Sequence, residues 1–275
     1  MITAPFEYRR AASVQEASRL LAGNNARVLA GGHSLLPAMK LGLAQPALLV
    51  DIGRIPDLRG IREENGKLVI GAMTTHYEIE SSELLRRSSP LLPEVAARIG
   101  DLQVRNRGTI GGSLAHADPA ADWPAAILAL DAELELGSAD GRRTVPASEF
   151  FLDLFQTAIR PGEILSAIRV GPTGPKVAYE KFAQKASGFA LCGVAAVLTG
   201  NSARVGITGV AARPYRAGRV ESSLGSRISS DGIARASEHA AYGVEPLSDL
   251  SGSASYRAHL ARVLTRRALE RARSA

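Results

Sequence analysis

Leu29-Ala30-Gly31-Gly32-His33-Ser34 and Thr109-Ile110-Gly111-Gly112-Ser113 are the two stretches on which the fold of this chain turns. Each glycine pair follows an apolar or β-prone run, and a serine follows within two residues. Glycine lacks a Cβ, so its backbone turns tightly and lets a ligand come close. Successive N–H groups in such turns form anion-binding nests. One nest suits a phosphate, and two from distant parts of a chain suit a diphosphate. The pattern predicts a dinucleotide ligand, against the plainer reading of two surface loops.

Around the first pair the chain reads β-α-β-α-β. Phe6 to Arg10 is a short strand. Ser13 and Glu16 form a capping box, opening a helix with Val14, Ala17 and Leu21 on one stripe. Gly23-Asn24-Asn25 ends it. Arg27 to Ala30 is a second strand running into the glycines, and a short helix with Pro37 near its first turn follows. Ala47 to Ile52 is apolar, as a buried parallel strand would be.

The pattern then changes. Glu64-Asn65-Gly66 predicts a hairpin between residues 60–63 and 67–71. Thr75 and Glu78 form a second capping box, and Ser89-Pro90 opens a helix that closes at Gly100. Leu102 to Val104 leads into the second glycine pair. Asp122 is placed to cap the helix holding Pro124. A further hairpin turns at Asp140-Gly141, and Ile164 to Val170 is a strand. Gly171-Pro-Thr-Gly-Pro175 reads as a linker. Beyond it come an antiparallel meander (178–182, 190–199, 204–210) and helices at 234–241 and 256–272. The expected class is α+β, with subdomains at 1–53, 54–175 and 176–275.

Composition narrows the function. The 275 residues carry a net charge of +6 with 5% aromatics. The arginines are spread rather than interleaved with aromatics, which argues against a nucleic-acid partner. The densest basic run, Arg257 to Arg273, reads as a solvated helix face. No stretch approaches the ~20 apolar residues that span a bilayer. The opening residues lack a basic-then-apolar segment, so a cytoplasmic location is expected. The single cysteine, Cys192, reads as a small buried hydrophobe. An iron–sulfur cluster needs about four thiolates, so none is expected on this chain. No histidine and acid cluster suggests a metal site.

The first segment imitates a nicotinamide-nucleotide site, with Asp51 about twenty residues beyond the glycines at a strand end. The spacing Gly-Gly-His-Ser is not G-x-G-x-x-G, however, and such a site leaves the second pair without a role. Taken with Ala117-Asp118-Pro119-Ala120-Ala121-Asp122 and Tyr179-Glu180-Lys181-Phe182, the two glycine motifs resemble the FAD-binding medium subunit of molybdenum hydroxylases. That family includes carbon monoxide and xanthine dehydrogenases, and the resemblance covers essentially the whole chain.

The resemblance implies a PCMH-type FAD-binding fold made of a small parallel βαβ subdomain, an antiparallel α+β subdomain, and a C-terminal antiparallel sheet with helices. It implies that Ala30, Gly31, Gly32, His33 and Ser34 clasp the FAD diphosphate together with Thr109, Ile110, Gly111, Gly112 and Ser113. Asp122 falls where the family places an acid near the ribityl and adenosine portion. Leu165 and Lys181 match positions lining the flavin, although core packing and a solvated strand-end cation are their plainer readings. A cation near the flavin favours its anionic reduced ring. Phe189 stands where carbon monoxide dehydrogenases carry a tyrosine, so it offers stacking without a hydroxyl. His33 and His116 are expected to fix loop geometry.

The implied role is electron transfer. Electrons would come from a large molybdenum-cofactor subunit through two [2Fe-2S] clusters in a small subunit, reach FAD here, and leave to an external acceptor. The implied assembly is a heterohexamer. A stand-alone FAD-dependent reductase of the same fold is the alternative.

Overall fold

A computed structural model describes residues 2–23, 25–225 and 228–275. Three sheets organise it. β1 (Glu7–Arg10), β2 (Ala26–Leu29) and β3 (Leu48–Asp51) form a parallel sheet in the order β1-β3-β2. Its central strand is the apolar one, as burial on both sides requires. Helix α1 (Val14–Leu21) starts where Ser13 Oγ accepts the Glu16 N–H. The returning carboxylate bonds the Ala12 N–H, one residue earlier than a capping box predicts. Of the expected helix stop, Asn24 lies outside the described residues. α2 (Leu35–Lys40) follows the first glycine pair.

The second sheet is antiparallel. β4 (Ile61–Glu64) and β5 (Lys67–Gly71) form the expected hairpin, with Asn65 and Gly66 both left-handed. β6 (Glu133–Gly137) and β7 (Arg142–Pro146) form the next one. After the small hairpin of β8 (Phe151–Asp153) and β9 (Gln156–Thr157), β10 (Ile164–Val170) inserts between β5 and β6. Residues 171–175 are irregular, and the Thr173 N–H bonds Ser88 O. The third sheet is the meander β11 (Val177–Ala183), β12 (Ala190–Thr199), β13 (Ser202–Thr208) and β14 (Tyr215–Arg216). The C-terminal helix Ala254–Ser274 packs on β11 and β12.

Six helices follow β5 in the chain. They are α3 (His76–Ser81), α4 (Glu83–Ser88), α5 (Leu91–Ala96), α6 (Leu102–Arg107), α7 (Ile110–His116) and α8 (Trp123–Ala129). α5 and α8 pack on the third sheet and α7 on β10. Thr75 and Glu78 close a complete capping box at α3. Cys192 is fully buried on β12, and burial pushes its thiol up to about 12, so it stays protonated and inert.

Three expectations are corrected. The run into the second glycine pair, Leu102–Arg107, is helical because Asp101 Oδ1 caps the Val104 N–H at 2.8 Å. The middle C-terminal helix is Ser230–Ser237, earlier than expected, because Ser229 caps it. The basic run of the last helix is not wholly solvated. Arg257 is buried and binds Leu191 O and Asp249, while Arg271 ties the helix to Glu94 and Glu180.

Candidate functional site

The fold brings the two glycine pairs together. A Cβ on Gly31 would overlap the Arg107 carbonyl, and one on Gly112 would stand 3.5 Å from Ala30 Cβ. Only glycine at position 31 lets the loop after β2 lie against the end of α6. Gly32 is left-handed, with φ of +79°, so its freedom of φ is also in use.

The loops differ in what they offer. Among the described residues, the N–H groups of Gly31, Gly32, His33 and Ser34 donate to no internal acceptor. Four successive unpaired donors around a left-handed glycine are what a phosphate needs. The second loop is already satisfied. Ile110 N donates to Thr74 O, Gly111 N to Ala72 O, Gly112 N to Thr109 Oγ1 and Ser113 N to Thr109 O. At the second pair, the N–H groups expected to form a nest already have internal partners. The second pair opens α7, where Thr109 and the chain after β5 take up its donors. Its glycines serve packing: a Cβ on Gly111 would meet Ala72 O at 2.7 Å.

Beside the loops lies a cavity of about 530 Å³, reached by Ala30, Gly31, Gly32 and Thr109. Arg10, Asp51, Arg54, Arg59 and Arg107 also line it. Asp51 accepts the Gly53 N–H at 2.7 Å and the Tyr8 hydroxyl, with Arg10 at 3.6 Å. Against the cost of partial burial, these partners hold its carboxyl below the usual range.

A second cluster forms where β11 meets α8. Asp122 does not cap α8 with its side chain, because its own backbone is already helical. Its carboxylate instead takes the Lys181 ammonium at 2.8 Å and the Tyr179 hydroxyl at 2.5 Å. The Lys181 side chain is 2% exposed and also donates to Arg98 O, so it is no solvated strand-end cation. Burial pushes the Asp122 carboxyl up, opposed by Lys181 and Tyr179. Burial and that carboxylate raise the Tyr179 hydroxyl well above its ordinary range, so it stays a donor. The motif around Tyr179 gives no local sign of this role. Glycine at 193 is the signal for it, since a Cβ there would strike the Tyr179 hydroxyl.

His76, which carries no local signal in the sequence, bonds to residues beside both regions. Its backbone N–H donates to Gly108 O, and its ring Nδ1 accepts from Trp123 Nε1 at 3.1 Å. Burial first, then His33 and Arg105, lower its pKa to about 4. The unfolded chain takes up this proton near pH 6.5 and the folded chain only near 4. Stability should therefore fall as pH drops through that window, by about 3 kcal/mol at most. Urea unfolding across it should show the slope in the wild type and a flatter one in His76→Gln. Equal slopes would remove His76 as the cause.

The other expected residues are dispersed. Leu165 is buried on β10 in the core. Phe189 is 48% exposed in the turn before β12. The His116 ring packs on Phe155, with centroids 5.1 Å apart. His33 makes no side-chain hydrogen bond among the described residues.

Comparison with known proteins agrees with this architecture. Residues 4–173 match the FAD binding domain in molybdopterin dehydrogenase, and residues 177–272 match the CO dehydrogenase flavoprotein C-terminal domain. The chain is 44% identical to the carbon monoxide dehydrogenase medium chain of Hydrogenophaga pseudoflava, covering 99% of this chain and 98% of that one. It is 39% identical to the 6-hydroxypseudooxynicotine dehydrogenase complex subunit alpha of Paenarthrobacter nicotinovorans, over 97% and 94% of the two chains. A solved carbon monoxide dehydrogenase from Hydrogenophaga pseudoflava superposes with a TM-score of 0.95 at 43% identity, over 100% of this chain and 99% of that one. The chain belongs to the FAD-binding medium subunits of the molybdenum hydroxylase family. It is thus an FAD-binding subunit of an oxidoreductase, and its relatives work in multi-subunit enzymes. Among the described residues, no helix is long and apolar enough to cross a membrane.

Proposed function

We propose that this chain is the electron outlet of a cytoplasmic complex, holding FAD where the two glycine loops meet. Its partners in this reading are a large molybdenum-cofactor subunit and a small subunit with two [2Fe-2S] clusters, assembled as a heterohexamer. The observation that carries the reading is the run of unpaired N–H groups from Gly31 to Ser34. These donors are open to an anion, on a loop whose Gly31 packs against the backbone of Arg107 and Gly108.

In this reading Ala30 to Ser34 bind the diphosphate through the backbone. Thr109 to Ser113 form the wall behind it, with Thr109, Ile110, Gly111, Gly112 and Ser113 allowing the approach. Asp122 and Lys181 present one neutralised, buried ion pair toward the ribityl and flavin portion. Leu165 supplies apolar packing, and exposed Phe189 supplies a face for stacking. Bound FAD supplies a carrier that accepts electrons from a neighbouring cluster and releases them to an outside acceptor. The proposed boundaries of the three subdomains are 1–53, 54–175 and 176–275, following the three sheets.

Co-expressed with its partners, the chain should elute as one complex containing flavin, iron and molybdenum. Anaerobic addition of the complex's substrate should bleach the flavin band in the complex and leave the isolated chain unchanged. Carbon monoxide and 6-hydroxypseudooxynicotine, after the relatives' names, are the first compounds to try. An isolated chain that oxidises NAD(P)H with a small-molecule substrate unaided would instead establish the stand-alone reductase.

A further inference from the structure

Gly108 lies against both the first glycine loop and an imidazole. A Cβ on Gly31 would stand 3.0 Å from the Gly108 Cα. A Cβ on Gly108 itself would stand 2.6 Å from His76 Nε2 and 2.8 Å from His76 Cδ2. The first loop thus rests on bare backbone, and that backbone rests on the His76 ring. Residues 74–76 grip the same stretch. Ile110 N–H donates to Thr74 O, Thr75 pairs with Thr109, and His76 N–H donates to Gly108 O at 3.0 Å.

The ring also reaches the second cluster. Its Nδ1 accepts from Trp123 Nε1, and the two ring centroids are 5.8 Å apart. An acceptor at Nδ1 places the single proton of the neutral ring on Nε2. Trp123 is fully buried and follows Asp122, whose carboxylate pairs with Lys181. One side chain therefore ties the backbone under the first loop to the start of the helix beside the buried ion pair. His76 itself does not line the cavity beside the loops.

We propose that neutral His76 is a positioning residue for flavin retention, holding the two clusters in register, and that a proton on it lets them part. This rests on the FAD reading and goes beyond it to what keeps the bound state together. An imidazolium carries hydrogen on both nitrogens. Nδ1 then faces the Trp123 N–H as a second donor, and the bond is lost. The surroundings resist that proton. The ring is buried, and His33 of the first loop and Arg105 of α6 face it. The neighbouring carboxylates are engaged elsewhere: Glu80 of α3 with Arg105 at 2.7 Å, Glu78 with the Thr75 cap, and Asp122 with Lys181.

The test lowers the pH of the FAD-loaded full chain from neutrality to below 4, following bound flavin, Trp123 emission and far-UV circular dichroism together. Trp123 is the single tryptophan, so its emission reports on this one bond. In the wild type, flavin should leave and the emission should change in one step near pH 4, with the dichroism retained. His76→Asn puts an amide oxygen where Nδ1 stands and takes up no proton there. It should hold flavin through that step. His76→Leu has a similar branched shape and no acceptor, and should weaken FAD about ten-fold at neutral pH. Flavin lost at the same pH from wild type and His76→Asn would overturn the proposal and leave the FAD reading standing. Flavin lost only where the dichroism is lost too would make His76 structural alone, and would overturn it equally. Should His76→Leu fail to fold, the comparison of wild type with His76→Asn still decides. A wild-type chain that takes up no FAD at neutral pH would remove the FAD reading itself.

Discussion

Gly31→Val is expected to strip the protein of flavin. The new Cβ would lie inside the contact distance of the Arg107 carbonyl, and backbone cannot swing aside as a long side chain can. The first loop must then lift off α6, dispersing the N–H groups of residues 31–34. Overpacking of this kind costs about 1–3 kcal/mol, so most of the fold should survive. Gly111→Val should act similarly, by forcing the start of α7 away from Ala72. Gly32→Ala pays roughly 1–2 kcal/mol for its left-handed φ and should weaken flavin less. Gly42→Ala is the control: its φ is also positive, at +76°, and its Cβ would meet open space. It should cost similar stability and no flavin. The flavin-to-protein ratio of purified variants reads this out, and Gly31→Val with a wild-type ratio would detach that loop from the site.

Lys181→Met is expected to destabilise the chain by about 3–5 kcal/mol, because it leaves the buried Asp122 carboxylate without its cation. Pairing it with Asp122→Asn should restore most of that loss, since no charge then remains in the pocket. The Tyr179 hydroxyl keeps an acceptor in the asparagine carbonyl. A double-mutant cycle by urea unfolding measures the coupling. The refolded double variant then separates the two roles of the pair. Lowered FAD affinity in a stable protein marks a contact to the cofactor, and unchanged affinity marks a purely structural pair.

Local signals in the sequence were sufficient for the parallel sheet, for the first antiparallel hairpin and for the start of α3. Ser13, Thr75 and Asn65-Gly66 each specify their structure within a few residues, and β3 announces its central place by its apolar run. The approach to the second glycine pair was not legible in the same way. Leu102-Gln103-Val104 is too short to show a period, and the capping side chain of Asp101 decides between helix and strand. Long-range pairs were still less accessible. Asp122 reads locally as a helix cap, yet its partners lie 57 and 59 residues along the chain. Arg257 looks like part of a solvated stripe until the chain carries Leu191 O to it. The glycines follow the same rule. Their sequence suggests two nests, and only the fold shows that the donors of the second have internal partners.

A density map of the assembled complex with its flavin tests the central claim most directly. The account predicts the FAD diphosphate within hydrogen-bond distance of the N–H groups of residues 31–34, with Gly111 and Gly112 behind it. A diphosphate bound elsewhere, with those four groups facing only solvent, would contradict it.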